Sequence, residues 1–257
     1  TFETRGIRQT MQHPKVGLVQ PVIHRDDVAA FQVAAADLDA LAPVFGGATR
    51  QSSVRAGLEA LASGKPHSLL HVDRAEIDLP PGTDPYSDAV YAKARENFQS
   101  LQRAGVRVRE TEPCRYIYQQ HMGAHVQRGL VAGCHVDDYD SGLIKKHEKT
   151  RKDKEDDRTR LIDTLGANTG PVFLTYRDEA AVTALVEAKV KERPLHDFIA
   201  PDGIRHRVWR VPGGEDWVRA FGQVPLTYIA DGHHRAASAA RVARIRRERN
   251  PKHTGVE

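Results

Sequence analysis

Apolar and polar positions change rhythm many times along this chain, and each change marks a short element. Residues 1–50 show little order, apart from an Ala-rich stretch from Asp26 to Leu41 that predicts a helix. From Ser53 to Ala62 the pattern is helical and is stopped by Gly64-Lys65-Pro66. Ser68–Val72 is a short apolar run and predicts a strand. Asp78–Asp84 contains Pro80, Pro81 and Gly82 and must be a loop. Ser87 or Asp88 caps a strong helix from Ala89 to Ala104, which Gly105 closes. Strands are expected at Val106–Arg109, Arg115–Gln120 and Gln127–Val136, the last two joined by a hairpin connection at His121–His125.

Asp137–Gly142 reads as an acidic turn, Leu143–His147 as a short strand, and 148–165 as a charged helix with Leu161, Ile162 and Leu165 as its apolar stripe. Pro171–Tyr176 is nearly continuous in β-prone residues, the pattern of a buried central strand. Asp178 caps a helix from Ala180 to Lys191, Arg205–Val211 alternates as a strand, and Glu215–Phe221 forms a short helix. A β-prone run from Leu226 to Ile229 then reaches Asp231, turns at Gly232 and opens an Ala/Arg helix. The alternation predicts an α+β fold, a mixed β-sheet flanked by helices. Residues 1–52 form a divergent or poorly ordered N-terminal segment, and 53–257 a single α+β domain without repeat or obvious linker.

Two stretches carry candidate chemistry. At the last strand–turn–helix, unpaired backbone N–H groups and the positive helix end suit a phosphate, and His233, His234 and Arg235 add charge-assisted donors beside Gly232. A solvated corner is the plain alternative; four polar residues in a row favour a ligand. A metal site built from His233, His234 and a distant acid is disfavoured, because adjacent histidines rarely point the same way. In the second stretch, His147 and Glu148 stand where a strand runs out into a loop, an imidazole beside a carboxylate that can supply a general base. Lys146 can neutralise phosphate charge, and Asn168-Thr169-Gly170 offers small donors with room for close backbone approach. The competing reading is a surface helix held by charge pairs. Lys152/Asp156 and Lys154/Asp157 are favourable, whereas Lys154/Arg158 and Asp153/Asp157 repel.

Composition narrows the classes. At 257 residues, 40% hydrophobic and 28% charged, the chain is ordinary for a globular protein. No apolar run reaches the roughly 20 residues of a membrane span. The N-terminus lacks a signal pattern, so a cytoplasmic location is expected. The first residue is Thr1 rather than Met, so the start is read as processed or incomplete. Cys114 and Cys134, the only cysteines, are expected to be small buried hydrophobes, Trp209 and Trp217 core fillers, and His121 and His125 solvent-facing. The net charge of +4 owes much to Arg235, Arg241, Arg244, Arg246, Arg247 and Arg249 of the last helix. That helix suits a nucleic-acid face, a nucleotide-phosphate face or a solvated flank, but 6% aromatic content disfavours general nucleic-acid binding. Walker, dinucleotide-binding, zincin and nucleophile-elbow signatures are all absent.

Asp84-Pro85-Tyr86-Ser87, Ile144–Arg151, Asp157-Arg158, Asn168–Phe173 and Ile229–Arg235 together resemble the bacterial family known as domain of unknown function 1015, over about His67 to His253. Within that family the Asp-Gly-His-His-Arg element is similar to the Gly-x-x-Arg phosphate-binding turn of the ParB/sulfiredoxin-like superfamily, which includes free-serine kinases. The resemblance implies a ParB/sulfiredoxin-like nucleotide-binding element near the C-terminus, with Gly232, His233, His234, Arg235, Lys146, Asn168 and Thr169 toward the nucleotide. It implies ATP or ADP with Mg2+ as cofactor, Asp231 as the metal ligand, and Glu148, aided by His147 and Asp231, as the catalytic group acting on a small hydroxylated metabolite such as free serine. It is compatible with a homodimer, and with neither a membrane nor a nucleic-acid partner. The alternatives are a nucleotide-binding regulator without kinase activity, and an inactive fragment. Both ends depart from the family pattern: Gly46–Gln51 replaces its Pro-Pro-Tyr-Asp-Val loop, Lys65-Pro66 its Asn-Pro pair, and the chain stops at Glu257 where relatives continue.

Overall fold

The computed structural model describes residues 19–250 and 252–254. The chain is a mixed α+β protein whose sheets are flanked by helices. The expected mixed sheet is in fact three separate sheets of two, four and three strands. Two compact units are present: residues up to Val106 with Ile199–Ile204, and Arg107–Phe198 with Arg205 onward.

In the first unit, β1 (Val22–Ile23) pairs in parallel with β2 (Val44–Phe45). The long helix expected from Asp26 is shortened to a 3-10 turn and α1 (Val28–Ala34). In α2 (Arg50–Ala62) the Thr49 hydroxyl accepts from the Ser52 N–H and so closes the first turn. Ser68–Val72 is not a strand: α3 (Leu70–Asp73) and a 3-10 turn over Ala75–Asp78 take its place. Val72 and Ala75, three residues apart, are both buried, so the apolar period is helical once the polar residues after Val72 are counted. In α4 (Asp88–Arg103), Val90, Tyr91, Ala94, Phe98 and Leu101 form the buried face. Val106–Arg109 makes no strand, and Val108 is 81% exposed, with no neighbouring ladder to satisfy it.

The second unit opens with β3 (Cys114–Met122) and β4 (His125–Val131). Met122 pairs with His125, leaving Gly123-Ala124 as the turn; positive φ at Gly123 alone fits a type II′ hairpin. The acidic stretch expected as a turn is a short helix, α5 (Val136–Asp140). Then come β5 (Ile144–Lys145), α6 (Lys152–Leu165), β6 (Phe173–Thr175), α7 (Ala180–Lys189), β7 (His196–Ile199), β8 (Arg205–Pro212), α8 (Glu215–Phe221), β9 (Thr227–Asp231) and α9 (His233–Arg249). Glu179, not Asp178, caps α7, its carboxylate accepting from the Ala181 N–H. The four-stranded sheet runs β4-β3-β8-β7. Ile117, Trp209, Val211 and Trp217 form its core, and the indole N–H of Trp209 donates to the Glu192 carbonyl. Cys114 and Cys134 are not buried core residues: both sit at or beyond strand ends, one half-buried and one exposed. His125 faces solvent, but His121 is half-buried against Gln119.

The three-stranded sheet runs β5-β9-β6, with β5 parallel and β6 antiparallel to β9. The expected central strand at 171–176 is therefore an edge, and Phe173 is 45% exposed. Its apolar run reflects one covered face rather than two. Helix α9 lies along α6 through small residues: Ala237, Ser238, Ala240 and Ala243 are buried, and the Ser238 hydroxyl donates to the Glu155 carbonyl. Arginines flank that stripe. Arg241 meets Asp156 and Glu155, while Arg246 and Arg249 share Asp163. Arg247 and Arg244 reach Asp137 and Asp140 of α5. The basic helix is thus matched by acids of its own chain. Of the anticipated pairs, Lys152–Asp156 forms at 2.5 Å.

Two outcomes are expected. Ile117→Ala should lower unfolding free energy by about 2–5 kcal/mol in urea denaturation, because Ile117 is fully buried at the centre of the core. A loss below about 1 kcal/mol would mean that this core collapses around the gap. Basic side chains hold Asp163, Asp156 and Asp137 below the ordinary aspartate range, through hydrogen bonds from Arg249, from Lys152 and Arg241, and from Arg247. A depressed folded pKa gives stability that is complete above the unfolded value of about 3.9 and is lost as pH falls below it. Replacing Asp163 with Asn should flatten that acid limb in thermal scans between neutral pH and pH 3; an unchanged limb would remove Asp163 as its source.

Candidate functional site

Two β-loop-α units place the site. β5 runs through residues 146–151 into α6, and β9 runs through Gly232 into α9. Because β5 and β9 are adjacent and parallel, both connections leave the sheet at the same edge, beyond the carboxyl ends of the strands. Ligand sites on parallel strands form at such an edge. β6 enters from the opposite direction, with Phe173 beside Asp231, so Asn168-Thr169-Gly170 arrives there too. Both stretches singled out in the sequence converge on one corner, the second through residues 146–151 and through Asn168-Thr169-Gly170.

At that corner Glu148 lies between two imidazoles. Its Oε2 is 3.5 Å from Nδ1 of His233, and its Oε1 is 4.0 Å from Nε2 of His147. The rings of His147 and His233 meet edge to face at 4.4 Å. His233 is 5% exposed and its Nε2 is buried without a partner, whereas His147 and Glu148 are open to solvent. Among the described residues these three form the one cluster with metal-ligand potential.

Gly232 has φ +96°, a left-handed conformation that glycine adopts without strain. Arg235 folds back across it: a Cβ built on Gly232 would lie 2.8 Å from Nε, and one built on Gly170 would lie 3.0 Å from Cδ. The guanidinium also pairs with Asp231 at 2.5 Å, so Asp231 is engaged by a cation of its own chain. His234 turns the other way, its Nε2 accepting from the Arg151 N–H at 3.0 Å and tying the start of α9 to the loop before α6. Lys146 donates to the Tyr139 carbonyl and stands 3.9 Å over the Tyr139 ring. Asn168 is exposed and Thr169 half-buried. His147, Glu148 and His233 are therefore brought together, Gly232, Arg235 and Asp231 form a second group on the same turn, and His234 and Lys146 are directed to backbone partners. Arg151 and Tyr139 were not legible as neighbours, because a backbone N–H and a ring face carry no sequence signal.

Residues 53–257 match the family described as Protein of unknown function (DUF1015). The chain belongs to this family. Over 77 residues it is also 47% identical to the bifunctional enzyme IspD/IspF of Bradyrhizobium sp. (strain ORS 278), covering 30% of this chain and 20% of that protein. The corresponding enzyme of Nitrobacter winogradskyi is 47% identical over 81 residues, 32% of this chain and 20% of the relative. The chain spans about a fifth of the length of these curated relatives. No solved structure matches it. Among the described residues no helix is long and apolar enough to cross a membrane.

The turn itself is testable. Gly232→Ala should destabilise the protein by about 1–2 kcal/mol, the cost of a side chain in left-handed backbone, and should displace Arg235. Thermal unfolding within error of wild type would show that the turn relaxes to another conformation.

Proposed function

We propose that the protein binds nucleotide phosphates at Gly232–Arg235 and transfers a phosphoryl group to the hydroxyl of a small metabolite, with free serine the first acceptor to test. The ParB/sulfiredoxin-like character of the Asp-Gly-His-His-Arg turn belongs to the same reading. One observation carries it: the parallel β5 and β9 bring Glu148 to His233, so a carboxylate not held by an arginine stands at the opening of a helix N-terminus.

Phosphoryl transfer requires positioning and charge stabilisation more than covalent chemistry by the protein. The N–H groups opening α9 and the guanidinium of Arg235 supply the positive cradle. Phosphate reaches that guanidinium by exchange with Asp231, its present partner. Glu148 takes the proton of the acceptor hydroxyl, a role that needs hydrogen-bond reach from an exposed carboxylate. His233 stands 3.5 Å from Glu148, and His234 fixes the start of α9 through Arg151. Asp231, expected as a magnesium ligand, is held by Arg235, and the nearby cluster is richer in imidazole than magnesium favours. The residues thus do not make a magnesium cage, and no step here depends on one. The regulator alternative gains no support from α9, whose Arg241, Arg244, Arg246, Arg247 and Arg249 are paired with acids of this chain.

Thermal unfolding with ATP, ADP or CTP should show a nucleotide-dependent rise in wild type that Arg235→Ala abolishes. Equal rises in both proteins would take the cradle out of consideration. With serine present, wild type should form phosphoserine, and Glu148→Gln should lower kcat by roughly 100- to 10,000-fold while leaving the nucleotide-dependent rise in place. Full turnover by that variant would remove Glu148 as the base.

A further inference from the structure

We infer that His147, Glu148 and His233 form a site for one divalent ion of the first transition row, with Zn2+ as the probe. The inference rests on geometry and stands apart from phosphoryl transfer. Each of the three residues offers one ligand atom, and these atoms lie within 4.8 Å of one another. The contacts of 3.5 Å and 4.0 Å across Glu148 belong to no hydrogen bond between these groups. The His233 contact, to Oε2, is close to the separation of two ligands sharing one ion, roughly 3.4 Å for a tetrahedral site with bonds of about 2.1 Å, and the His147 contact, to the other oxygen Oε1, is longer.

The second observation is the state of His233. A ring that is 95% buried, being 5% exposed, leaves Nε2 without a partner and aims Nδ1 at Glu148. Burial fixes the ring so that Nδ1, and not the unpartnered Nε2, is the nitrogen presented to Glu148 and to an ion beside it. Two imidazoles and one carboxylate suit Zn2+ and its neighbours better than Mg2+ or Ca2+, which prefer oxygen. The ligands are also placed as a usable site requires. His233 is fixed at the start of α9, and His147 and Glu148 come from the open side, where further positions stay accessible to water or ligand. An ion-bound carboxylate oxygen does not take a proton, so with the ion in place Glu148 acts as a ligand and not as a base.

The test is calorimetric titration of chelator-stripped full-length protein with Zn2+ alone. Wild type should bind one ion per chain and gain thermal stability. His147→Ala and Glu148→Gln replace exposed side chains, so their circular dichroism should match wild type while affinity falls at least about tenfold. A Cys114→Ser/Cys134→Ser double variant should bind as wild type does, which separates this site from adventitious thiolate capture. Absence of one-to-one binding in wild type overturns the inference. So does binding that survives His147→Ala and Glu148→Gln unchanged, or that disappears with the cysteines. None of these readings depends on nucleotide or turnover, so failure of the kinase reading leaves them intact.

Discussion

The close packing of α9 on α6 is the constraint from which the second unit's geometry follows. Small side chains at Ala237, Ser238, Ala240 and Ala243 let the two helices approach, and buried Ser238 bonds to the backbone of the other helix. Arginines on either side of this stripe grip Glu155, Asp156 and Asp163. Each surface pair alone contributes little, but a row of them along one interface fixes the sliding register of one helix against the other. Since α6 follows the loop bearing Glu148, and α9 begins at His233, that register also sets how near the two residues come. The Arg151–His234 hydrogen bond fastens the junction at its open end.

The same construction explains why residues more than 80 positions apart share one corner. β5 and β9 contribute few residues, yet their parallel pairing makes both chains exit in one direction. The antiparallel β6 enters at that edge and brings Gly170 against Arg235. The absence of a side chain at Gly170 and Gly232 is what allows the guanidinium to lie flat across the turn. Packing, strand direction and two glycines together produce the arrangement.

Much of this was legible in the amino-acid order. The helix at Glu215–Phe221 has the bounds its pattern implied, and the strand–turn–helix around Gly232 has the expected form. Elements failed where a short apolar run was read without its surroundings. Ser68–Val72 holds too few residues to separate a period of two from one of 3.6, and the helical reading wins only when Ala75 is included. Phe173–Thr175 looked doubly covered but lies at an edge, because continuous apolarity does not report which face is open. β7 went unseen because His196 and Asp197 open it; it is bonded to β8 in the sheet, where Asp197 also pairs with Arg205 and Arg207. The fate of the C-terminal arginines was hidden for a similar reason: their partners lie on α5 and α6, and one helix's composition cannot reveal them. At the site, His147, Glu148 and His233 were each named from the sequence, but their meeting depends on strand direction, which local pattern does not encode.

The Arg235–Asp231 pair gives the corner a resident competitor. Any oxyanion arriving at the turn has to win the guanidinium from a carboxylate only four residues away and permanently tethered. A singly charged visitor merely swaps one charge-assisted contact for another, whereas a multiply charged one also engages the helix opening and gains from the exchange. Under the proposed phosphate-binding function, the pair would act as a threshold filter, quiet toward simple carboxylates and responsive to denser negative charge.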